Sequence, residues 1–331
     1  MTNPAPDLAI VVPCFDEEQA LPQTGPAIAA FIGRLRDAGK VGQRSRVWFV
    51  DDGSGDRTWA IIGGFVAAGM PAAGVKLSRN RGHQNALLAG LLLAEGDAVV
   101  TIDADLQDDL DAVERMVDRY RDGVDVVYGV RNVRASDSAL KRVTASAFYA
   151  LAAALGAPTV AHHADCRLLS RRAVEALRGF REANLFLRGI VPLIGFRSEV
   201  VEYERHPRTA GTTKYSLRRM VSLAAAGITS FSVVPLRIIS AAGLAVFAGA
   251  MAATIWALWI SLFTDRSVPG WASVVLPMYF LGGVQLLALG VMGEYLGRIY
   301  VEVKGRPRYI VEDVIGAANV TPATAVDAAA R

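Results

Sequence analysis

The sequence predicts an α/β protein with a mainly parallel sheet, followed by a pair of membrane-crossing helices. Three observations predict this. From Leu8 to about Glu204, short apolar runs alternate with longer stretches of helical spacing. Acidic clusters follow two of those runs, at the strand ends where such sheets bind ligands. Ile238 to Phe263 and Ser267 to Gly293 then run 26 and 27 residues without a charge, and about 20 apolar residues suffice to cross a bilayer.

Leu8 to Val12 reads as a buried strand, ended by Pro13, which cannot donate to a ladder. Helical spacing follows from about Glu17 to Asp37. Val47 to Val50 is the next strand, closed by Asp51-Asp52-Gly53, with a helix from about Asp56 to Ala68. Gly74 to Leu77 is a strand and Gln84 to Ala94 a helix. Ala98 to Ile102 is a strand and Leu110 to Arg121 a helix. Val124 to Gly129 is a further strand.

The apolar half is expected to form a hairpin. Asp265 and Arg266 sit between its two spans, beside Pro269-Gly270. Arg218, Arg219 and Arg237 precede the first span, and Arg298, Lys304, Arg306 and Arg308 follow the second. The positive-inside bias places both ends in the cytoplasm, and Trp256, Trp259 and Trp271 fall toward the loop as an aromatic belt would. The predicted organisation is a cytosolic catalytic domain over 1–215 and an interfacial amphipathic helix over 216–231. Transmembrane helices over 232–264 and 268–296 and a cytosolic segment over 297–331 complete it. The tail from Thr321 is small and Ala-rich and is expected to be disordered. Pro307 to Glu312 is expected to return as a strand to the first domain or to a neighbouring subunit.

Composition agrees with this division. The 331 residues are 52% hydrophobic yet 20% charged, so apolar residues are concentrated somewhere. A net charge of +3 gives no basis for nucleic-acid binding. The two cysteines, Cys14 and Cys166, show no metal or disulfide spacing and read as small core residues. Met1 to Asp7 has no apolar h-region, so no secretory signal is expected.

Chemistry concentrates in four segments. In Asp103-Ala104-Asp105-Leu106-Gln107, two carboxylates flank one small residue just after an apolar strand. Alternate positions of an extended segment share a face, and Ala104 leaves room for a large ligand. Hard divalent cations such as Mg²⁺ or Mn²⁺ bind such carboxylates together with substrate phosphates. Asp108, Asp109 and Asp111 read instead as an acidic helix start. Asp51-Asp52-Gly53-Ser54-Gly55-Asp56 offers acceptors for a base or ribose, with Ser54 and Asp56 read as helix caps. Val12-Pro13-Cys14-Phe15-Asp16-Glu17 is a third strand end followed by acids. Ser78 to Asn85, SRNRGHQN, offers cations and amides suited to a nucleotide-sugar, with His83 read as an ordinary loop histidine.

Together these segments resemble the family 2 glycosyltransferases of GT-A fold, and most closely the polyisoprenyl-phosphate glycosyltransferases. The resemblance spans about residues 8 to 310. The family's V-P-x-[YF]-N-E is matched with Asp16 replacing Asn, and D-A-D-L-Q is matched in full. The resemblance implies that Pro13, Phe15, Glu17 and Asp52 contact the nucleoside. It implies that Asp103, Asp105 and Gln107 handle the metal and the donor diphosphate. Gly129-Val130-Arg131 matches G-x-R and implies a phosphate contact by Arg131. Asp165-Cys166-Arg167-Leu168-Leu169 resembles D-[FC]-R-L-L, which places Asp165 at the active site. Arg208 to Tyr215 resembles R-x-x-G-x-S-K-[YL], with Thr213 for Ser, and implies phosphate binding by Arg208 and Lys214.

The function so implied is inverting transfer of a sugar from a nucleotide-diphosphate donor to a polyprenyl phosphate at the inner membrane. UDP-glucose is the first expectation and GDP-mannose the second. Related proteins suggest a homo-oligomer. Two other readings stand beside it. A polysaccharide-extending synthase of the same fold usually carries QxxRW, which this chain lacks. A non-catalytic membrane scaffold would not need an intact DxD accompanied by cations.

Overall fold

The computed structural model describes residues 5–131, 163–182, 185–204, 234–263, 271–317 and 320. These form two compact units.

The first is an eight-stranded mixed sheet with helices. In chain order it comprises β1 (Leu8–Cys14), α1 (Leu21–Asp37), β2 (Arg46–Asp51), α2 (Thr58–Ala67), β3 (Ala72–Leu77), α3 (His83–Leu93), β4 (Ala98–Thr101), α4 (Leu110–Arg121), β5 (Val126–Arg131), β6 (His163–Ser170), α5 (Arg171–Leu177), α6 (Leu187–Leu193) and β7 (Ser198–Tyr203). It closes with β8 (Val311–Ile315), after the long helices. The strand order is β7-β5-β6-β4-β1-β2-β3-β8. β1 pairs in parallel with β2 and β4, β2 with β3, and β5 with β7, while β6 and β8 run antiparallel to their neighbours.

β1 is central and wholly buried. Leu8, Ile10 and Val12 join a core with Ile28 and Ile32 of α1 and Val113 and Met116 of α4. The opposite face takes α3. A Cβ at Gly90 would lie 2.3 Å from Val11 Cγ1, so only glycine allows α3 to approach this closely. Cys14 and Cys166 form no disulfide and are buried in the core, as expected.

Several elements differ from expectation. β1 runs through Pro13 to Cys14. In a parallel strand, a residue's N–H and C=O point to the same neighbour. Val11 O accepts from Ile102 N at 3.1 Å, so Pro13 faces the β4 side too. There the β4 pairing has already ended, and Pro13 has no ladder bond to lose. β6 and β7 were not read from the sequence. The expected return of Pro307 to Glu312 to the first domain is met by β8, which overlaps it at Val311 and Glu312, runs on to Ile315 and pairs with β3. The described residues 305–317 therefore belong with the sheet.

The second unit is built on α7 (Val234–Phe263) and α8 (Trp271–Val303), of 30 and 33 residues. At 1.5 Å per residue these are about 45 and 50 Å long. Within α8, Phe280–Val303 is long and apolar enough to cross a membrane, and Trp256 and Trp259 of α7 are exposed. The amphipathic segment 216–231 lies outside the described residues.

Candidate active site

The strand ends of β1 and β2 are welded by short polar contacts. Ser54 Oγ accepts from Asp16 N at 3.0 Å and donates to Asp51 Oδ1. Gly55 N donates to Asp16 Oδ1 at 2.9 Å, and Glu17 N to Thr58 Oγ1 at 2.9 Å. Asp16 adopts a positive φ of 53°, a conformation that Asp and Asn tolerate better than most residues. Asp56 accepts from Thr58 N at 2.9 Å and Glu18 N at 3.1 Å, so it satisfies the first N–H of α2 from the residue before the N-cap, Arg57. Ser54 instead bridges the two loops. Phe15 stands 46% exposed at their rim, while Pro13 is buried in the strand.

The two adjacent acids divide their work. Asp51 is fully buried and turned onto Ser54. Asp52, also buried, accepts from Arg81 N at 2.7 Å and Gly82 N at 2.9 Å. It thereby pins the SRNRGHQN loop beside the end of β2. Burial raises the pKa of both acids, against the pull of these hydrogen bonds.

The Asp103–Gln107 segment is a turn rather than an extended strand end. β4 stops at Thr101, and Leu106 takes a positive φ of 50°. Strand alternation therefore does not explain the placement of Asp103 and Asp105. Tertiary anchors hold the turn instead. Ala104 is buried, with its carbonyl accepting from Thr24 Oγ1 at 2.6 Å. Asp105 Oδ1 accepts from Gln107 N at 3.2 Å, and the Gln107 side chain is buried. Asp108 is not a helix-start residue: it is buried, and accepts from Tyr203 Oη and from Asp103 N. Asp109 is the true cap of α4, taking Asp111 N at 2.9 Å.

Three elements converge on Asp103. His83, the first residue of α3, sets Nε2 3.8 Å from Asp103 Oδ1 and 3.6 Å from Asp165 Oδ2. Asp165 on β6 also receives Arg167 Nη2 at 2.8 Å, and both Nε and Nη2 of Arg188 at 3.1 and 2.9 Å. Burial pushes the Asp103 carboxyl up to about 6, helped by the charges of Asp108, Asp165 and Asp105 and opposed by His83. Burial also acts on Asp165, but His83, Arg188 and Arg167 outweigh it and hold that carboxyl far below the usual range. Burial lowers the His83 pKa, but its hydrogen bond to Asp165 and the charges of Asp103 and Asp165 outweigh burial and Arg188 and raise it.

The structure thus brings Asp103, Asp105 and Asp165 to one end of the sheet, with Asp52 and Phe15 on the loops alongside. His83, read as an ordinary loop residue, belongs to this cluster. Arg188 carried no signal in the sequence, because its partner lies 23 residues away. Arg131 ends β5, and Arg208 and Lys214 lie outside the described residues.

Residues 9–178 match the family model described as glycosyl transferase family 2. The chain is 45% identical to the uncharacterized glycosyltransferase YkoT of Bacillus subtilis, over 94% of this chain and 93% of that one. It is 38% identical to the SfII prophage-derived bactoprenol glucosyl transferase of Shigella flexneri, over 92% of this chain and 97% of that one. It is 37% identical to the prophage bactoprenol glucosyl transferase homolog of Escherichia coli K12, over 93% and 99%. The chain belongs to glycosyl transferase family 2 and is a glycosyltransferase.

Proposed function

We propose that this enzyme moves a sugar from a nucleotide-diphosphate donor onto a polyprenyl phosphate at the cytoplasmic face of a membrane, with inversion at the anomeric carbon. The observation that carries the reading is the convergence of His83, Asp103 and Asp165 from three elements at one sheet end. The relatives named bactoprenol glucosyl transferases, similar over more than nine-tenths of the chain, support the lipid acceptor. They also make UDP-glucose the first donor to test, with GDP-mannose the second.

Phe15, Glu17 and Asp52 would face the nucleoside, with the buried Pro13 shaping the strand end beneath them, and Ala104 leaves space beside the donor. Asp103, Asp105 and Gln107 would hold Mg²⁺ or Mn²⁺, which when bound offsets negative charge on the leaving diphosphate. The donor set suits a hard cation, since it offers carboxylate and amide oxygens: burial first, and then the charges of Asp108, Asp165 and Asp105, raise the proton affinity of Asp103. Among the described residues, no three His, Cys, Asp or Glu side chains make a ligand set alone. That leaves room for phosphate oxygens and water, as Mg²⁺ sites commonly have.

The acceptor phosphate is already anionic at neutral pH, so its oxygen needs alignment more than deprotonation. It forms the new bond to the anomeric carbon as the bond to the nucleotide diphosphate breaks. Arg131, Arg208 and Lys214 hold the two sets of phosphates together. Asp165, clamped by cations, suits orienting substrate better than taking up a proton.

A prenyl chain leaves the bilayer only at about 0.8 kcal/mol per buried CH₂, so the site must come to the lipid. α7 and α8 would serve as the transmembrane hairpin that holds it there, with the domain over 1–215 and both ends of the chain cytosolic. A donor screen tests the reading. Purified enzyme in nanodiscs receives undecaprenyl phosphate, Mg²⁺ or Mn²⁺ and labelled UDP- or GDP-sugars. Label entering the organic phase with one donor, and lost with EDTA, supports it. Nucleotide binding without lipid-linked label from any donor argues for another acceptor.

A further inference from the structure

The basic pair Arg167 and Arg188 has no place in the phosphate contacts named above. Arg167 lies on β6, with its side chain 1% exposed. Its Nη2 meets Asp165, but its Nη1 is buried without a hydrogen-bond partner among the described residues. Leaving a charged donor unsatisfied in the interior is costly. Arg188 approaches Asp165 from α6 by two parallel N–H bonds and is still 37% exposed. His83 closes the remaining side at 3.6 Å. Two guanidinium groups thus share one carboxylate. Arg167 keeps one buried donor unsatisfied among the described residues, and Arg188 keeps part of its side chain exposed. A planar guanidinium suits phosphate, which takes two N–H bonds at once.

We propose that Arg167 and Arg188 form a phosphate-oxyanion subsite, with Asp165 as the positioning carboxylate that holds both guanidinium groups ready. Arg188, the more exposed of the two, makes the contact with the phosphate, and Arg167 supplies the buried charge behind it. The inference rests on the proposed transfer reaction, because both of that reaction's substrates bring phosphate. The oxyanion could come from the donor diphosphate or from the acceptor monophosphate, and binding measurements separate the two.

The full-length enzyme in nanodiscs is compared with Arg188→Gln and Arg188→Lys. One arm measures binding of UDP, a second binding of undecaprenyl phosphate carried in the nanodisc, and a third the rise in unfolding temperature with pyrophosphate. The expected result is at least a tenfold loss of affinity in one of the first two arms for Arg188→Gln. Arg188→Lys should lose less, since it keeps the charge without the fork. A loss confined to UDP assigns the oxyanion to the donor, and one confined to the lipid assigns it to the acceptor. Unchanged affinity in both arms overturns the subsite, even where the unfolding temperature falls, because that would mark a purely structural ion pair. Should the wild-type enzyme bind neither UDP nor the lipid, the transfer reading fails on its own. The pyrophosphate arm then decides the subsite: stabilisation lost in Arg188→Gln supports it, and no stabilisation of the wild type overturns it. If Arg188→Gln does not fold, the same comparisons are made with Arg188→Lys, with a threefold loss as the threshold.

Discussion

Gly53 lies against the backbone of Arg79 so closely that a Cβ there would fall 2.5 Å from the Arg79 carbonyl carbon. Its φ of +68° adds a second restriction. This contact brings the β2-end loop onto the SRNRGHQN loop, the same junction that Asp52 pins through Arg81 and Gly82. Gly53→Ala must adopt a left-handed backbone, at roughly 1–2 kcal/mol, and push the two loops apart. Thermal unfolding should show a clear loss of stability, and nucleotide affinity should fall with it. Unchanged nucleotide affinity would mean that the junction does not shape the donor site.

Asp52→Asn leaves one acceptor oxygen where the carboxylate supplied two. Hydrogen bonds to charged groups are worth about 1.5–3 kcal/mol, so the loop at Arg81–Gly82 should loosen. The expected result is a donor KM raised about tenfold, with a smaller change in kcat. Steady-state kinetics with the donor varied at saturating lipid measure this. A change in kcat alone would place Asp52 in the chemical step instead.

Acid stability should report on Asp125. This buried carboxylate is bridged by Arg172 and accepts from Ser170 Oγ at 2.8 Å. The Arg172 hydrogen bonds, then Ser170, hold its pKa below the ordinary value, outweighing burial. A depressed folded-state pKa stabilises the fold above the unfolded value of about 3.9. That contribution is lost as pH falls through the folded-state value. Wild-type unfolding temperature should therefore drop below about pH 4 more steeply than that of Asp125→Asn, while at pH 7 the wild type should be the more stable. Parallel acid profiles would remove Asp125 from the account.

Truncation before Arg306 removes β8 and bares the edge of β3. It also deletes Glu312, paired with Lys76 at 2.9 Å, and Arg308, which donates to Phe180 O at 2.9 Å. An exposed edge strand invites pairing with other chains. The truncated protein should unfold at lower temperature and aggregate in size-exclusion chromatography. A monodisperse protein of wild-type stability would show that β8 is dispensable to the sheet.

Much of the sheet was legible because β1 to β5 are short apolar runs. β6 was not, since HADCRLLS carries Asp165 and Arg167 on one face and Cys166 and Leu168 in the core. That pattern looks polar when read along the chain. β7 is an edge strand with only Val201 and Tyr203 buried, so it too lacked an apolar signature. Asp103 and Asp105 announced themselves through their spacing, but the turn that holds them depends on Thr24, 80 residues away. Asp108 looked like a helix-start acid, because its partner Tyr203 is 95 residues distant. His83 and Arg188 reach the site only through the fold, by meeting Asp165 from α3 and α6.

The most direct test of the transfer reaction is Asp105→Asn, assayed for movement of label from UDP-glucose into undecaprenyl phosphate with Mg²⁺ or Mn²⁺, after membrane insertion is verified. The wild type should form an organic-soluble, EDTA-sensitive product, and the variant, equally inserted, should lose at least a hundredfold in rate, about 2.7 kcal/mol. Turnover by Asp105→Asn at the wild-type rate would contradict the proposed reaction.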